Sequence, residues 1–141
     1  MTMIRYRNFV LSLSVLLLCF CGCPSSNENI GWVEGVVTVN GTPVEGARVR
    51  FYPTTGRGSS GKTDETGHYE LKYTRSEDGA VIGEHKVTIS TEAEANNYEQ
   101  DDAVEARAES IPKRYVNLKT TDLTATVKSG NNTHNFDLKS K

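Results

Sequence analysis

Val33-Glu34-Gly35-Val36-Val37-Thr38-Val39-Asn40-Gly41-Thr42-Pro43 decides the fold. Val33, Val37 and Val39 share one parity, and Glu34, Val36 and Thr38 the other. Alternation with period two is the mark of a half-buried strand. Asn-Gly directly after it is a strong tight-turn signal, because both residues tolerate the left-handed backbone a two-residue hairpin needs.

The same pattern continues downstream. Ala47, Val49 and Phe51 share a face opposite Arg48 and Arg50. Thr54–Lys62, rich in glycine and serine, reads as a flexible loop, with one further strand at its end over 61–63. Thr63-Asp64-Glu65-Thr66-Gly67 reads as a turn, with Gly67 suited to positive φ. His68–Tyr73 alternates with Tyr69, Leu71 and Tyr73 inward, and Asp78-Gly79 marks a break. Glu84–Thr91 alternates again with Val87 and Ile89 inward. Leu123–Val127 and His134–Leu138 read as a closing hairpin around Gly130-Asn131-Asn132. Six clear strands and a seventh, with no helical periodicity between them, predict an all-β antiparallel sandwich.

Residues 92–117 break the pattern. They hold seven acids (Glu92, Glu94, Glu99, Asp101, Asp102, Glu105 and Glu109) and few large apolar groups. A short helix around 103–108 and a long solvated loop are both compatible with this composition. Connections of such length are usually functional or disordered.

Upstream, the character changes completely. Arg5 and Arg7 precede an apolar run, Phe9–Leu18, interrupted by Ser12 and Ser14. The run is too short to span a bilayer, which takes about 20 residues, and has the length of a signal-peptide core. A buried core helix is the alternative, but nothing downstream resembles a helical partner. All three cysteines, Cys19, Cys21 and Cys23, follow this run, so the rest of the chain has no disulfide framework. Phe20-Cys21-Gly22-Cys23 resembles the lipobox of bacterial lipoproteins, which wants a small residue before the modified cysteine. Cys23 is the preferred lipidation site and Cys21 the alternative. Residues 1–22 are then a signal peptide, 23–30 a lipidated tether and 31–141 the folded domain.

The net charge is −2, and without residues 1–22 the remainder carries −4. That balance, with no basic patch, gives no reason to expect a nucleic-acid partner.

Gly35-Val36-Val37-Thr38, Gly41-Thr42-Pro43-Val44-Glu45-Gly46-Ala47-Arg48-Val49 and Thr63-Asp64-Glu65-Thr66-Gly67-His68-Tyr69 together resemble the carboxypeptidase regulatory-like domain. That resemblance implies an Ig-like, transthyretin-like sandwich. Gly83–Ile89, Ile111–Tyr115 and the C-terminal strands look like a subgroup of small bacterial lipoproteins built on it. The motif residues have structural readings: Pro43 fixes a turn, Asp64 caps the amides of its own turn, and Tyr69 buries its ring.

Enzymatic readings fail on residues. There is no His-Glu-x-x-His, no Gly-x-Ser-x-Gly and no cysteine beyond residue 23. The related hydroxyisourate hydrolases end in a Tyr-Arg-Gly-Ser-type tail, and this chain ends Phe136–Lys141. His68 has solvent-face parity, whereas His85 and His134 share parity with the inward rows. Hydrogen-bonded structural histidines are the commoner outcome, and neither a metal nor a cofactor is expected. The acidic segment lacks EF-hand spacing. Asn40-Gly41-Thr42 and Asn131-Asn132-Thr133 fit the N-glycosylation pattern but read as turns.

The expected function is a non-catalytic, exported envelope lipoprotein, lipid-anchored and facing the periplasm or cell surface. Its domain would serve as a structural or protein-interaction module with an envelope protein as partner. The alternative is a carbohydrate- or small-ligand-binding domain, for which Trp32, Tyr52, Tyr98 and Tyr115 are the aromatic candidates. Arg114 and Tyr115 are the candidate binding residues, since arginine and tyrosine are common interface anchors. The competing reading is that Ile111, Pro112 and Tyr115 pin the preceding segment to the sandwich.

Overall fold

The computed structural model describes residues 29–92 and 108–140. The segment read as a signal peptide, Cys23, most of the expected tether, Tyr98 and the acidic stretch 93–107 lie outside the described residues.

The deciding stretch forms β1 (Ile30–Val39), whose burial alternates as its sequence does, with Val33 and Val37 fully buried. Asn40 and Gly41 take φ of 50° and 83°, and the chain turns directly into β2 (Thr42–Pro43). The following elements are β3 (Arg48–Pro53), β4 (Ser59–Lys62), β5 (His68–Glu70), β6 (Ala80–Val81) and β7 (Gly83–Ser90). A four-residue helix α1 (Lys113–Val116) precedes β8 (Thr124–Val127), β9 (Asn131–Thr133) and β10 (Phe136–Leu138).

Two sheets result. One, of six strands, is organised around β1, and the other runs β4-β3-β7-β8. β1 pairs antiparallel with β6, β5 and β2 along one edge, and parallel with β9 and β10 along the other. The four-stranded sheet is antiparallel throughout. The protein is therefore an all-β sandwich, and its seven principal strands are the seven expected; β2, β6 and β9 are short additions.

The core lies between the sheets. Phe51, Val49, Val87 and Ile89 meet Val33, Val37, Tyr69, Leu71 and Leu138, all essentially inaccessible. Phe51 is central: its ring lies 6.2 Å from that of Phe136 and 5.5 Å from that of His85. Burying side chains of this size stabilises the fold by roughly 1.5–3 kcal/mol each.

Three expectations need correction. Residues 54–62 are not all loop: Ser59–Lys62 is β4, with Ser59 buried against Phe51's strand. The strand starting at His68 ends at Glu70, because Lys72 bridges to both Ser60 and Asp78 and the chain reverses; Tyr73 is consequently half-exposed. The C-terminal strands are not a hairpin. β8 pairs with β7 in one sheet, whereas β9 and β10 join β1 in the other.

Asn132 holds that crossover together. It is read as a turn residue from the sequence, but it lies in β9 and is buried. Its Oδ1 accepts from Lys128 N at 2.8 Å. Its Nδ2 donates to the carbonyls of Trp32 (3.0 Å), Lys128 (2.8 Å) and Gly130 (3.1 Å).

Candidate functional site

The segment 108–116 places the two residues singled out as a binding surface. Ile111 and Tyr115 are buried in the core, at 3% and 6% exposure. Tyr115 OH accepts a hydrogen bond from Lys139 N at 3.3 Å. Arg114 is exposed, lies 4.6 Å above the Tyr115 ring and donates to Lys139 O at 2.7 Å. The tyrosine thus has the geometry of a pin, and of the two residues Arg114 is the exposed one.

Glu109 belongs to the same anchor. It is half-buried rather than part of a solvated acidic run. Its carboxylate accepts from Ser90 Oγ, Thr91 N, Thr91 Oγ1 and Ile111 N. Burial alone would raise its pKa, but these hydrogen bonds together outweigh it and hold the carboxyl below its usual range.

Of the inward histidines, His85 is buried and His134 half-buried. His85 is 3% exposed, and its Nε2 lies 2.7 Å from Val81 O. Burial pushes its pKa down. His134 also packs on Phe51, with ring centroids 5.9 Å apart. Its carbonyl accepts from the buried Tyr69 hydroxyl at 2.7 Å, and burial raises the pKa of that phenol.

A polar site forms instead on the outer face of β1 and β5. Glu34 stands directly opposite Glu70 in the antiparallel ladder, and His68 is two residues from Glu70 on the same face. His68 Nε2 lies 3.7 Å from Glu34 Oε2, and His68 Nδ1 lies 3.9 Å from Asp64 Oδ2. Donor atoms of Glu34, His68 and Glu70 all fall within 4.8 Å of one another.

The turn before β5 sets this geometry. Gly67, at φ 77°, reverses the chain as expected. Asp64 Oδ1 accepts from Thr66 Oγ1 (2.7 Å), Thr66 N (2.8 Å) and His68 N (3.0 Å). These bonds, led by the Thr66 hydroxyl, hold Asp64 below the ordinary carboxylate range. The cap expected of Asp64 is present, and its second oxygen is left facing the imidazole.

His68 and Glu70 border an open groove of about 750 Å³ that crosses the seam between the sheets. Its lining also includes Arg48 and Lys62, which are directly opposed on β3 and β4. Neither forms an ion pair among the described residues. The groove is therefore lined by carboxylates, an imidazole and cationic side chains, a surface suited to a polar or charged partner. Sequence reasoning gave His68 its solvent face but missed the cluster, because nothing local specifies that residue 34 pairs with residue 70. Trp32 and Tyr52 are half-exposed and Tyr115 is buried, so the described aromatic candidates do not form an open platform. No family model, curated protein or solved structure matches the chain.

Proposed function

We propose that the chain is an exported lipoprotein, anchored in the cell envelope through Cys23, whose β-sandwich is a non-catalytic structural or protein-interaction module. The observation that carries this reading is the sequence pattern of Arg5 and Arg7, the apolar run Phe9–Leu18 and then Gly22-Cys23, which has the layout of a lipoprotein signal. Among the described residues the first strand begins at Ile30, and the core is filled by residues from Val33 onward. Only six residues, Pro24–Asn29, separate that strand from Cys23. A six-residue tether spans at most about 20 Å, so a lipid on Cys23 would hold the domain close against the bilayer. Among the described residues no helix is long and apolar enough to cross a membrane. Attachment would then rest on acyl chains, two or more of which suffice for stable anchoring. The resemblance to carboxypeptidase regulatory-like domains supports the same role, and the charged groove supplies a surface for a partner.

Mass spectrometry of the protein extracted from bacterial membranes tests it. A mature N-terminus at acylated Cys23, lost in Cys23→Ala, is the expected result. A chain that retains Cys23 as a free thiol, or a mature chain that starts downstream of it, defeats the proposal. Among the described residues the glycan-binding alternative is favoured by half-exposed Tyr52 and by half-exposed Trp32, which shares the outer face of β1 with Glu34. Saturation-transfer NMR against soluble envelope glycans should show no contact with either ring.

A further inference from the structure

We propose that Glu34, His68 and Glu70 form a binding site for a divalent first-row transition ion such as Zn²⁺. The topology forces the three together: a His-x-Glu pair on one strand shares a face, and the register sets Glu34 directly across from Glu70. Like charges at directly opposed positions destabilise a sheet. A cation between them turns that repulsion into coordination. The donors already lie within 4.8 Å of one another. Bonds of about 2.0–2.2 Å in tetrahedral geometry put donors roughly 3.4 Å apart, which exposed side chains reach by small rotations.

The imidazole argues for a transition ion more than the carboxylates do. Its Nε2 faces Glu34, and its Nδ1 faces Asp64 Oδ2, an oxygen of a carboxylate whose other oxygen is fixed by the turn. A ligating histidine typically has a carboxylate behind its second ring nitrogen, where it fixes the ring and raises ligand basicity. The nearby ammonium of Lys72 is engaged by Asp78 at 2.7 Å. One imidazole with two carboxylates matches zinc-type donor sets, whereas calcium takes six to eight oxygens. Three protein donors leave a coordination position for water or a ligand on the groove side.

The test uses the full chain in detergent, stripped of metal, with Cys19, Cys21 and Cys23 changed to serine so that no thiol competes. Calorimetric titration with Zn²⁺ should give one site per chain. His68→Ala and Glu34→Gln should each weaken binding tenfold or more, and Asp64→Asn about tenfold through loss of the supporting carboxylate. His134→Asn should leave the affinity unchanged. The His68 imidazole resonances should shift on Zn²⁺ addition while those of His85 stay in place, a readout that needs no variant. Absence of binding up to millimolar Zn²⁺, or parent-like affinity in both His68→Ala and Glu34→Gln, overturns the site. Either failure leaves the lipoprotein proposal untouched, since that stands on the chemistry of Cys23.

Discussion

Replacing Asn132 by alanine removes the side chain that fastens the passage of the chain from one sheet to the other. Four contacts vanish: one accepted from Lys128 N and three made by the two amide hydrogens to Trp32 O, Lys128 O and Gly130 O. Each effective hydrogen bond is worth about 0.5–1.5 kcal/mol net. Lys128 and Gly130 are exposed, so water replaces part of what they lose. The Trp32 carbonyl, facing a buried position, is compensated less. The expected loss is about 2–4 kcal/mol, which lowers the melting temperature on the order of 10–20 °C for a domain of this size. Asn132→Asp separates polarity from shape. It keeps the volume but sets a carboxylate against three carbonyls, so at pH 7 it should be worse than alanine. Protonation restores a donor, which places the folded-state pKa of the new acid above its unfolded value. Relative to the parent protein, the aspartate variant must therefore gain stability as the pH falls from 7 to 5. Urea denaturation of all three proteins at both pH values measures this. Losses below about 0.5 kcal/mol in both variants would show that the crossover does not depend on Asn132.

The inward register predicts that Phe51→Ala costs about 3–5 kcal/mol through the cavity it leaves, whereas Arg50→Ala on the outer face costs under about 0.5 kcal/mol. Equal costs in denaturant titrations would displace the register by one residue. Tyr115→Ala should destabilise by about 3 kcal/mol as a core truncation, and Arg114→Ala by under about 1 kcal/mol; thermal melts of the two variants decide between pin and anchor. Because burial depresses the His85 pKa, the unfolded chain binds a proton below about pH 6.5 that the folded chain resists. Stability should be full above that value and decline as the pH falls through the folded pKa, and His85→Leu should flatten the slope. Below about pH 4 a second decline follows, as the depressed carboxyls of Glu109, Asp64 and Asp137 (the last near 2, led by its bond to Lys139) protonate. A parent protein whose urea midpoint is flat from pH 8 to 5 contradicts the histidine assignment.

The sandwich was legible because period-two burial is a local property. Val33, Val37, Ala47, Val49, Phe51, Tyr69, Leu71, Val87 and Ile89 could each be assigned inward from their neighbours alone, and the Asn-Gly turn announced itself. Pairing partners are a different kind of information. Residues 123–127 and 134–138 have the parity and spacing of a hairpin, yet the buried Asn132 diverts the second segment to β1. Periodicity cannot register a side chain that satisfies backbone groups in two strands. The cluster on the outer face was hidden for the same reason: Glu34 and Glu70 are adjacent only through the β1–β5 register. Glu109 looked like one acid among seven, and its capture by Ser90, Thr91 and Ile111 depends on where that segment returns to the sandwich.

β1 draws its parallel neighbours from the last dozen residues of the described chain, about a hundred positions away. Such a fold has a high contact order, and chains whose decisive contacts are distant in sequence fold slowly. The strand made first has to wait for the strands made last. A chain emerging N-terminus first, from a ribosome or through a translocation pore, leaves one edge of β1 uncovered until Phe136–Leu138 is free. Truncation after Lys128 would make that open edge permanent, exposing unpaired backbone groups that can template association with another chain. The C-terminal strands thus set the moment at which folding can finish, and a passage that requires an unfolded polypeptide has until then to be completed.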